Sequence, residues 1–478
     1  MGTSGSCLTP NGKPDKSLVY RTDVFWNGLA RYPFFRIPAL VQLGAPNSSN
    51  LLAFAEARFG IGDAGRIDLV YRQSFDGGRS WEPKNGVNLL SRAGQLGDPA
   101  LRGGTIGNAV PVYLPAARRL LVLACSNGRA ATESAIRKGY ASAAATRRVW
   151  LFSATVDESG KANWDSLPRE LTTMVKRPSW RWYATGPGVG VVLANGTIAV
   201  PCNHAGGSDS GDEGDRSHII VSHDGGETWS IIDGFAGANT NEATLVQLAN
   251  GEVLLQSREV RAGPRWMHSI DPHNMGLLKS FRTTTLKEPP SSGVQAALVT
   301  PPYIGRSSAE VLRGSTSPGP LFNSKPDSSR RRERLTIFRS DDGGATWPRR
   351  FLVHNGSSAY SSLVFLRGGD GAGDGDGGHP ETQDGLWWLI LAWWCWARDT
   401  AKGSAVEEKN ATSEIVAEHQ SSDARALGVL FESGGWYSWS CMVEWISFLA
   451  DSPLFFSQRI SFARVVLGPD SPLGSCET

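Results

Sequence analysis

An octapeptide that occurs three times is the sequence feature that most constrains the fold. It reads SFDGGRSW at 74–81, SHDGGETW at 222–229 and SDDGGATW at 340–347. Asp and Ser side chains can bond backbone N–H groups, and Gly-Gly permits positive φ, so each copy predicts a hairpin turn with the Trp packed on it. The wide, unequal spacing indicates a large repeat with degenerate copies in between.

Short apolar runs of β-forming residues surround these turns. IDLVYRQ, HIIV and LTIFR precede the three octapeptides, and turn signals such as Asn195-Gly196 separate many of the others. The other predicted strands read LLAFAEA, RLLVLACS, RVWLFSA, GVGVVLA, TIAVPC, EVLLQSR, SSLVFL and RISFARVVL. Helical periodicity is scarce, so the sequence predicts an all-β chain. A β-propeller explains the pattern best, because radial repetition lets many short sheets share one core.

Charge and cysteine content exclude several classes of partner. The 48 basic and 46 acidic residues leave a net charge of +2, which gives no case for nucleic acid as a partner. The six cysteines are scattered without a CxxC pair, so we expect no metal site.

Two Trp-rich segments and two polar segments fit the repeat pattern poorly. Leu386–Ala397 is too short to span a bilayer and predicts a buried strand, so we expect no transmembrane segment. The Gly-rich and charged stretches predict surface insertions at about 367–385 and 398–426. Whether the Trp-rich segments near 386–397 and 436–456 belong to the native protein stays open.

The N-terminus lacks the apolar core of a secretory signal, which predicts a cytoplasmic protein. An incomplete N-terminus would allow a secreted or lysosomal location. Gly2 with Ser6 fits a myristoylation pattern, and Cys7 could take a second acyl chain. A flexible polar tail over residues 1–20 is the favoured interpretation, and lipid anchoring is the weaker one.

Phe35-Arg36-Ile37-Pro38 lies ahead of the first octapeptide. This tetrapeptide resembles the FRIP motif of the sialidase (neuraminidase) family, and the octapeptides resemble its Asp boxes. The resemblance runs from about Val24 to Val466 and is strongest up to Leu363. It implies a six-bladed β-propeller over residues 21–470, followed by a short tail at 471–478.

The resemblance also implies an activity. We expect an exo-α-sialidase that removes terminal sialic acids from glycoproteins, glycolipids or oligosaccharides with retention of configuration, without a metal or organic cofactor. The implied partner is a sialylated glycan. The alternatives are a catalytically weak propeller that binds sialoglycans, a trans-sialidase, a variant that prefers deaminated sialic acid, and a different Asp-box propeller.

Sialic acid carries a carboxylate on its anomeric carbon. Sialidases resemble one another in placing three arginines around this carboxylate. A guanidinium suits this task because its planar fork matches the two oxygens. Arg36 and Arg258 match the first two positions. The third falls in the run RRRER at 330–334, where the family pattern favours Arg332 and a basic surface loop is the alternative for its neighbours.

Tyr360, in HNGSSAYSSL at 354–363, resembles the tyrosine that attacks the anomeric carbon in sialidases. A neutral phenol is not repelled by the substrate carboxylate, whereas a carboxylate nucleophile would be. A phenol with a pKa of about 10 needs a base to take its proton. Glu242 matches the family's partner base.

The general acid is expected between FRIP and the first octapeptide. Asp63, on a loop rich in glycine, matches the residue that protonates the leaving oxygen and then activates water. Asp68 is the rival, although its place within IDLV predicts a structural role. Glu56 is expected to pair with an arginine, and Arg58 matches an arginine at the rim of the pocket.

Two weaker candidates complete the predicted site. Asn108 and Gln295 occupy places where relatives contact the sugar. Each of them could equally satisfy backbone groups.

Overall fold

The structure is a computed structural model. It describes residues 18–45, 48–141, 146–206, 214–233, 237, 239–260, 264–283, 286, 293–301, 317–367, 425–434 and 458–467. The predicted insertions, both Trp-rich segments, the 471–478 tail, Gly2 and Cys7 lie outside the described residues or almost wholly so.

Strands make up most of the described chain. In chain order they are β1 Leu18–Trp26, β2 Phe34–Gln42, β3 Leu51–Arg58, β4 Ile67–Ser74, β5 Asn88–Arg92, β6 Thr105–Leu114, β7 Arg119–Asn127, β8 Arg148–Val156, β9 Ala162–Trp164, β10 Arg169–Glu170, β11 Trp180–Thr185, β12 Val191–Val192, β13 Ile198–Gly206, β14 Asp215–Ser222, β15 Ser230–Ile232, β16 Thr240–Gln247, β17 Val253–Glu259, β18 Trp266–Ile270, β19 Leu277–Arg282, β20 Ala297–Val299, β21 Leu321–Pro326, β22 Glu333–Ser340, β23 Arg349–Arg367, β24 Arg425–Gly434 and β25 Gln458–Leu467.

Helices within the described ranges are short. The α-helices are α1 Glu133–Arg137 and α2 Thr172–Val175, and single 3₁₀ turns lie at Leu29–Arg31, Ala93–Gln95 and Pro99–Leu101. The all-β prediction is therefore confirmed.

Two predicted boundaries differ from the structure. The predicted strand GVGVVLA is wrong in extent, because only Val191–Val192 pairs there. The first strand, β1, begins inside the predicted tail of residues 1–20.

The described strands form sheets of seven, nine, five and four strands, in which sequence neighbours pair antiparallel almost throughout. In the nine-stranded sheet, the antiparallel strands β2–β5 join the antiparallel strands β6–β10 through a single parallel pairing of Ile67 with Thr105. The first part of β23 pairs with β22, and its second part pairs with β24. The most N-terminal strand, β1, pairs with the most C-terminal strand, β25, for example Thr22 with Phe462.

Each octapeptide forms the turn that its sequence predicts. In the first copy, Gly78 N–H donates to Ser74 Oγ at 2.8 Å, Ser80 N–H donates to Asp76 at 2.9 Å and the Trp81 indole donates to Gly78 O at 3.2 Å. The same Ser–Gly and Trp–Gly bonds recur in the other two copies. Both glycines of each copy have positive φ. The Asp and Ser side chains thus accept hydrogen bonds from backbone N–H groups that have no strand partner within the turn.

Buried apolar side chains fill the space between sheets. One cluster packs Phe25 of β1 and Phe462 of β25 against Leu40 of β2. Gly78 lies against the Phe462 ring so closely that a Cβ would meet it at 2.2 Å. The first octapeptide turn therefore contacts the strand at the other end of the described chain.

The contact between Gly78 and Phe462 predicts a stability effect. Gly78→Ala forces a methyl group into the ring, and overpacking of this kind costs about 1–3 kcal/mol. Gly225→Ala is the matched control, since Gly225 also has positive φ, at 75°, but has open space at its Cβ. We expect Gly78→Ala to lower the free energy of unfolding in urea by about 1–3 kcal/mol more than the control. Equal losses would contradict the packing described here.

Candidate active site

Four of the predicted site residues lie where strand pairing slips out of register. The shifts fall between Arg36 and Ala39, Gly107 and Val110, Thr240 and Ala243, and Ser358 and Ser361. Arg36, Asn108, Glu242 and Tyr360 lie at or inside these shifts. A β-bulge bends the strand and re-aims its side chains, and bulges are over-represented next to active sites. The irregular backbone therefore brings side chains from β2, β6, β16 and β23 to the same region.

The bulge in β2 presents Arg36. The next residue, Ile37, has a φ of 56°, an uncommon value for a β-branched residue, and its N–H donates to Glu432 at 2.8 Å. Pro38 follows, where the bulge requires no ladder donor. The strain at Ile37 is compensated by the bond to a carboxylate that is 1% exposed.

Arg36 itself lies between two carboxylates. Its Nε is 3.3 Å from Glu432 Oε1, and its Nη2 donates to Glu432 Oε2 at 3.5 Å. Its Nη1 donates to Asp63 Oδ1 at 3.2 Å. The guanidinium carbon is 5.2 Å from the centroid of the Tyr360 ring. Glu432 therefore balances the charge of the buried guanidinium, while the Nη1 edge of Arg36 faces the exposed Asp63.

Tyr360, Glu242 and Arg258 form the centre of the site. The Tyr360 hydroxyl donates to Glu242 Oε1 at 2.5 Å, and Arg258 Nη1 donates to the Tyr360 oxygen at 3.4 Å. Arg258 also forms a short ion pair with Glu242 Oε2. The predicted nucleophile is thus in hydrogen-bond contact with the predicted base, and the base is held by an arginine.

The surroundings of Tyr360 control its protonation. Burial raises the pKa of the phenol, and the negative charge of Glu242 raises it further, against the opposing effect of Arg258, Arg332 and Arg36. The hydroxyl is therefore protonated at neutral pH. Glu242 Oε1 accepts the hydrogen bond from this hydroxyl and is therefore placed to receive its proton.

Asp63 lies at the edge of this group, on the loop between β3 and β4. Its side chain is 75% exposed, and its Oδ1 accepts from Arg58 Nη1 at 2.6 Å as well as from Arg36. Partial burial acts to raise the pKa of Asp63, but the charges of Arg58 and then Arg36 outweigh it and hold the pKa below its ordinary value. Asp63 is therefore ionised in the structure as it stands.

Arg58 is anchored from behind by Glu56. Both side chains are nearly fully buried and form an ion pair at 2.5 Å, which confirms that Glu56 pairs with an arginine. Glu56 also accepts from Asn108 N–H at 2.9 Å. Gly107 makes this approach possible, because a Cβ there would lie 2.0 Å from Glu56 Oε1.

Asp68, the rival candidate for the acid, is 1% exposed. It accepts from Tyr32 Oη at 2.8 Å and from Arg92 Nε at 3.0 Å. These bonds are in keeping with the predicted structural role.

Within the arginine-rich run, Arg332 differs from its neighbours. It is partly buried, whereas Arg330, Arg331 and Arg334 are exposed. Its Nη2 donates to Gly293 O at 3.0 Å, and its guanidinium carbon is 6.0 Å from the centroid of the Tyr360 ring. Arg36, Arg258 and Arg332 therefore all approach the Tyr360 side chain.

Asn108 and Gln295 are bonded within the protein. Asn108 Oδ1 accepts from Arg147 Nη2 at 2.8 Å. Gln295 is 2% exposed, accepts from Ser361 N–H at 3.1 Å and donates to Pro187 O at 3.2 Å. Asn108 is linked to the site by the bond from its N–H to Glu56, and Gln295 by its bond to Ser361, which follows Tyr360. Their predicted contact with the sugar stays a prediction.

Sequence reasoning missed two charged residues of the site. Glu432 holds Arg36, and Arg147, 2% exposed, donates to Asn108, Asn127 and Tyr183 O. Glu432 ends the run LGVLFE, and a carboxylate that closes an apolar strand was the available signal. Arg147 precedes β8 without any comparable mark.

The described residues show neither a metal-binding cluster nor a membrane-spanning helix. In the described part of the chain, no group of three or more His, Cys, Asp or Glu side chains is placed to hold a metal ion. No helix in the described ranges is long and apolar enough to cross a membrane.

Comparison with known proteins places this chain in a family. The model of the BNR repeat-like domain matches residues 49–371, which is more than half of the chain. A sialidase of Bacteroides fragilis is 27% identical over 338 residues, and one of Micromonospora viridifaciens is 27% identical over 382 residues. This chain belongs to the sialidase family.

The sialidase relatives differ in how much of them the chain spans. The matches cover 70% and 77% of this chain but only 58% and 53% of the Bacteroides and Micromonospora proteins. The chain thus spans between about half and three-fifths of their length. Sialidase-3 of Mus musculus, 26% identical, is covered to 84% of its length and covers 70% of this chain.

Solved sialidase structures share the fold. A Hadza microbial sialidase superposes with a TM-score of 0.56 at 26% identity, covering 74% of this chain and 66% of that one. The Trypanosoma rangeli sialidase in complex with the inhibitor DANA gives a TM-score of 0.57 at 15% identity, covering 96% of this chain and 57% of that one. At 15% identity the second match speaks for the fold alone.

The contact of Tyr360 with Glu242 predicts how this sialidase-family chain titrates. Tyrosinate at position 360 should form only above the ordinary pKa of about 10. Glu242→Gln removes the negative charge and should move this ionisation to lower pH. The measurement is the difference in tyrosinate absorbance between the protein and its Tyr360→Phe variant across alkaline pH, in both backgrounds. An unchanged or higher midpoint in Glu242→Gln would contradict the contact.

Proposed function

We propose that the protein is an exo-α-sialidase that removes terminal sialic acid from glycans through a covalent tyrosyl intermediate. One observation carries the proposal. The buried Tyr360 hydroxyl donates to Glu242 Oε1 at 2.5 Å while three arginines approach the same tyrosine. An ordinary glycosidase uses two carboxylates, and sialidases with a tyrosine nucleophile are the exception.

The arginines serve the substrate carboxylate. Arg36, Arg258 and Arg332 come from different parts of the chain and all approach Tyr360, so they can bind one carboxylate together beside it. Charge-assisted bonds from guanidinium groups to a carboxylate are about twice as strong as neutral ones. Binding of the carboxylate fixes the adjacent anomeric carbon near the Tyr360 oxygen.

The first chemical step joins Tyr360 to the sugar. Glu242 takes the phenol proton as the Tyr360 oxygen attacks the anomeric carbon, and Asp63 gives a proton to the departing glycosidic oxygen. In the second step Asp63 takes a proton from water, which attacks the same carbon. Glu242 returns its proton to the Tyr360 oxygen as the bond from that oxygen to the sugar breaks. Two displacements at one carbon give net retention. The structure of Trypanosoma rangeli sialidase with 2,3-difluorosialic acid is described as a covalent intermediate, which supports this route by analogy.

We also infer that the domain is a six-bladed propeller. Strand pairing supports six antiparallel groups of four: β2–β5, β6–β9, β11 with β13–β15, β16–β19, β20–β22 with the first part of β23, and the second part of β23 with β24, β25 and β1. The pairing of β1 with β25 supports this proposal, because a propeller joins strands from the two ends of its domain in one sheet.

Tyr360→Phe and Asp63→Ala separate the two proposed roles. Tyr360→Phe should abolish turnover of every sialoside, because no nucleophile remains. Asp63→Ala should lower kcat for sialyllactose by about 10²- to 10⁴-fold, and less for a methylumbelliferyl sialoside, whose leaving group needs little protonation. The measurement is release of sialic acid and of fluorophore.

Tyr71→Phe is the matched control for this experiment, since Tyr71 packs on Phe54 and Trp164 instead. It should keep full activity. Undiminished turnover by Tyr360→Phe would contradict the mechanism. A folded wild-type protein that binds sialosides without turnover would point to the sialoglycan-binding alternative.

The choice of Arg332 among its neighbours is tested by Arg332→Lys against Arg331→Lys. Loss of a charge-assisted bond to the substrate carboxylate costs about 1.5–3 kcal/mol, so kcat/KM should fall roughly ten- to hundredfold in Arg332→Lys. Arg331 is exposed, and its variant should match the wild type. A greater loss of kcat/KM in Arg331→Lys would show that Arg331, and not Arg332, contacts the substrate carboxylate.

A further inference from the structure

Arg36 holds two carboxylates at the same time, and the two are held differently. Glu432 takes the Nε and Nη2 side of the guanidinium, is 1% exposed and also accepts from Ile37 N–H at 2.8 Å. Asp63 takes Nη1 at 3.2 Å and is 75% exposed. Glu432 is thus fixed, while Asp63 lies on the solvent side of the arginine.

The contact of Arg36 with Asp63 is incompatible with both residues performing their proposed roles at the same time. Arg36 is assigned to the substrate carboxylate, yet its Nη1 is bonded to the residue assigned to protonate the leaving group. An acid must carry a proton before it can give one. In the structure, partial burial acts to raise the pKa of Asp63, but Arg58, Arg36 and Arg332 together hold that pKa below its ordinary value.

The charged groups around Asp63 come from several elements. Arg58 on β3 is backed by Glu56, and Arg36 on β2 is backed by Glu432. Arg332, before β22, adds a third positive charge. Of these arginines, Arg36 and Arg332 also approach Tyr360, where the proposed function puts the substrate carboxylate.

We propose that Asp63 and the sialoside carboxylate occupy Nη1 of Arg36 in turn, so that substrate binding itself releases the acid and lets it take up its proton. This inference rests on the proposed function. The incoming carboxylate replaces the Asp63 oxygen on Arg36 and offsets the positive charge of the other arginines. The enzyme then acquires its acid only when a carboxylate-bearing sugar is present.

The proton balance of the exchange is simple. Asp63 leaves Arg36 as a carboxylate and receives one proton from solvent, forming one O–H bond. That proton passes to the glycosidic oxygen as its bond to the anomeric carbon breaks, while the bond from Tyr360 forms and Glu242 holds the phenol proton. Asp63 is again a carboxylate afterwards and takes a proton from the attacking water, while Glu242 returns its proton to the Tyr360 oxygen. Asp63 gives its proton to solvent when the product leaves and it returns to Arg36.

The loop that carries Asp63 allows such a movement. Gly60 and Gly65 flank it, and neither has any atom within 4 Å of the position a Cβ would take. Arg58, in contrast, is 2% exposed and fixed by Glu56. Asp63 can therefore leave Arg36 while it keeps its bond to Arg58 Nη1, and the buried pair of Arg58 with Glu56 stays in place.

The test is carboxyl NMR on the full chain carrying ¹³C-labelled aspartate. Asp63 is assigned from the signal lost in Asp63→Asn, and its pKa is measured in the free protein and with saturating DANA, the carboxylate-bearing inhibitor of the Trypanosoma rangeli sialidase. The methyl ester of DANA is the matched ligand, because it keeps the sugar ring and removes the negative charge. We expect DANA to raise the Asp63 pKa by at least about one unit, a tenfold change in proton affinity, and the ester to raise it much less.

Arg66→Lys is the matched protein control. Arg66 closes the same loop but pairs with Asp68, so this variant should reproduce the wild-type shift. An equal rise with DANA and its ester would overturn the exchange in favour of simple loss of water around Asp63. Binding of DANA without any rise would overturn it while leaving the proposed function standing. Failure to bind DANA would overturn both.

Kinetics give a second readout of the same event. The pH profile of kcat/KM reports groups of the free enzyme, and that of kcat reports groups of the complex. The basic limb that belongs to Asp63 should lie at least about one pH unit higher in kcat than in kcat/KM. Coincident limbs would contradict the exchange.

Discussion

The pairing of buried arginines with buried carboxylates is the interaction on which the site depends. Arg36 is held by Glu432, Arg58 by Glu56 and Arg258 by Glu242. An unpaired charge in such a place is costly, and removing one partner of a buried pair typically destabilises a protein by about 3–5 kcal/mol. The carboxylates therefore let several guanidinium groups converge on one small region without the mutual repulsion that would otherwise open it.

Irregular strand pairing directs the side chains of the site toward one region. A regular antiparallel ladder sends alternate side chains to opposite faces of a sheet, and this would not aim residues from four strands at one point. Register shifts at Arg36, Asn108, Glu242 and Tyr360 interrupt the alternation where the site is built. The octapeptide turns contribute differently, since their Ser, Asp and Trp side chains bond backbone groups within each turn.

The sequence could predict whatever depends on local pattern. The octapeptides and the alternating apolar runs predicted an all-β chain and the turns, and the place of Asp68 inside IDLV separated it from Asp63 on its glycine-rich loop. The motif resemblance supplied Tyr360 and Glu242, which indeed meet. The bond from Arg36 to Glu432 was not predictable, because it joins residues 396 positions apart. Nor was the burial of Gln295, whose side chain satisfies backbone groups of Pro187 and Ser361 that come together only in the fold.

Covalent bonding of Tyr360 to the sugar is the step on which the proposed mechanism depends. It can be tested by incubating the protein with 2,3-difluorosialic acid, digesting it and locating the added mass by peptide mass spectrometry. We expect one adduct on Tyr360, and none in Tyr360→Phe. An adduct on Glu242 or Asp63, or turnover of sialosides with Tyr360 never labelled, would contradict it.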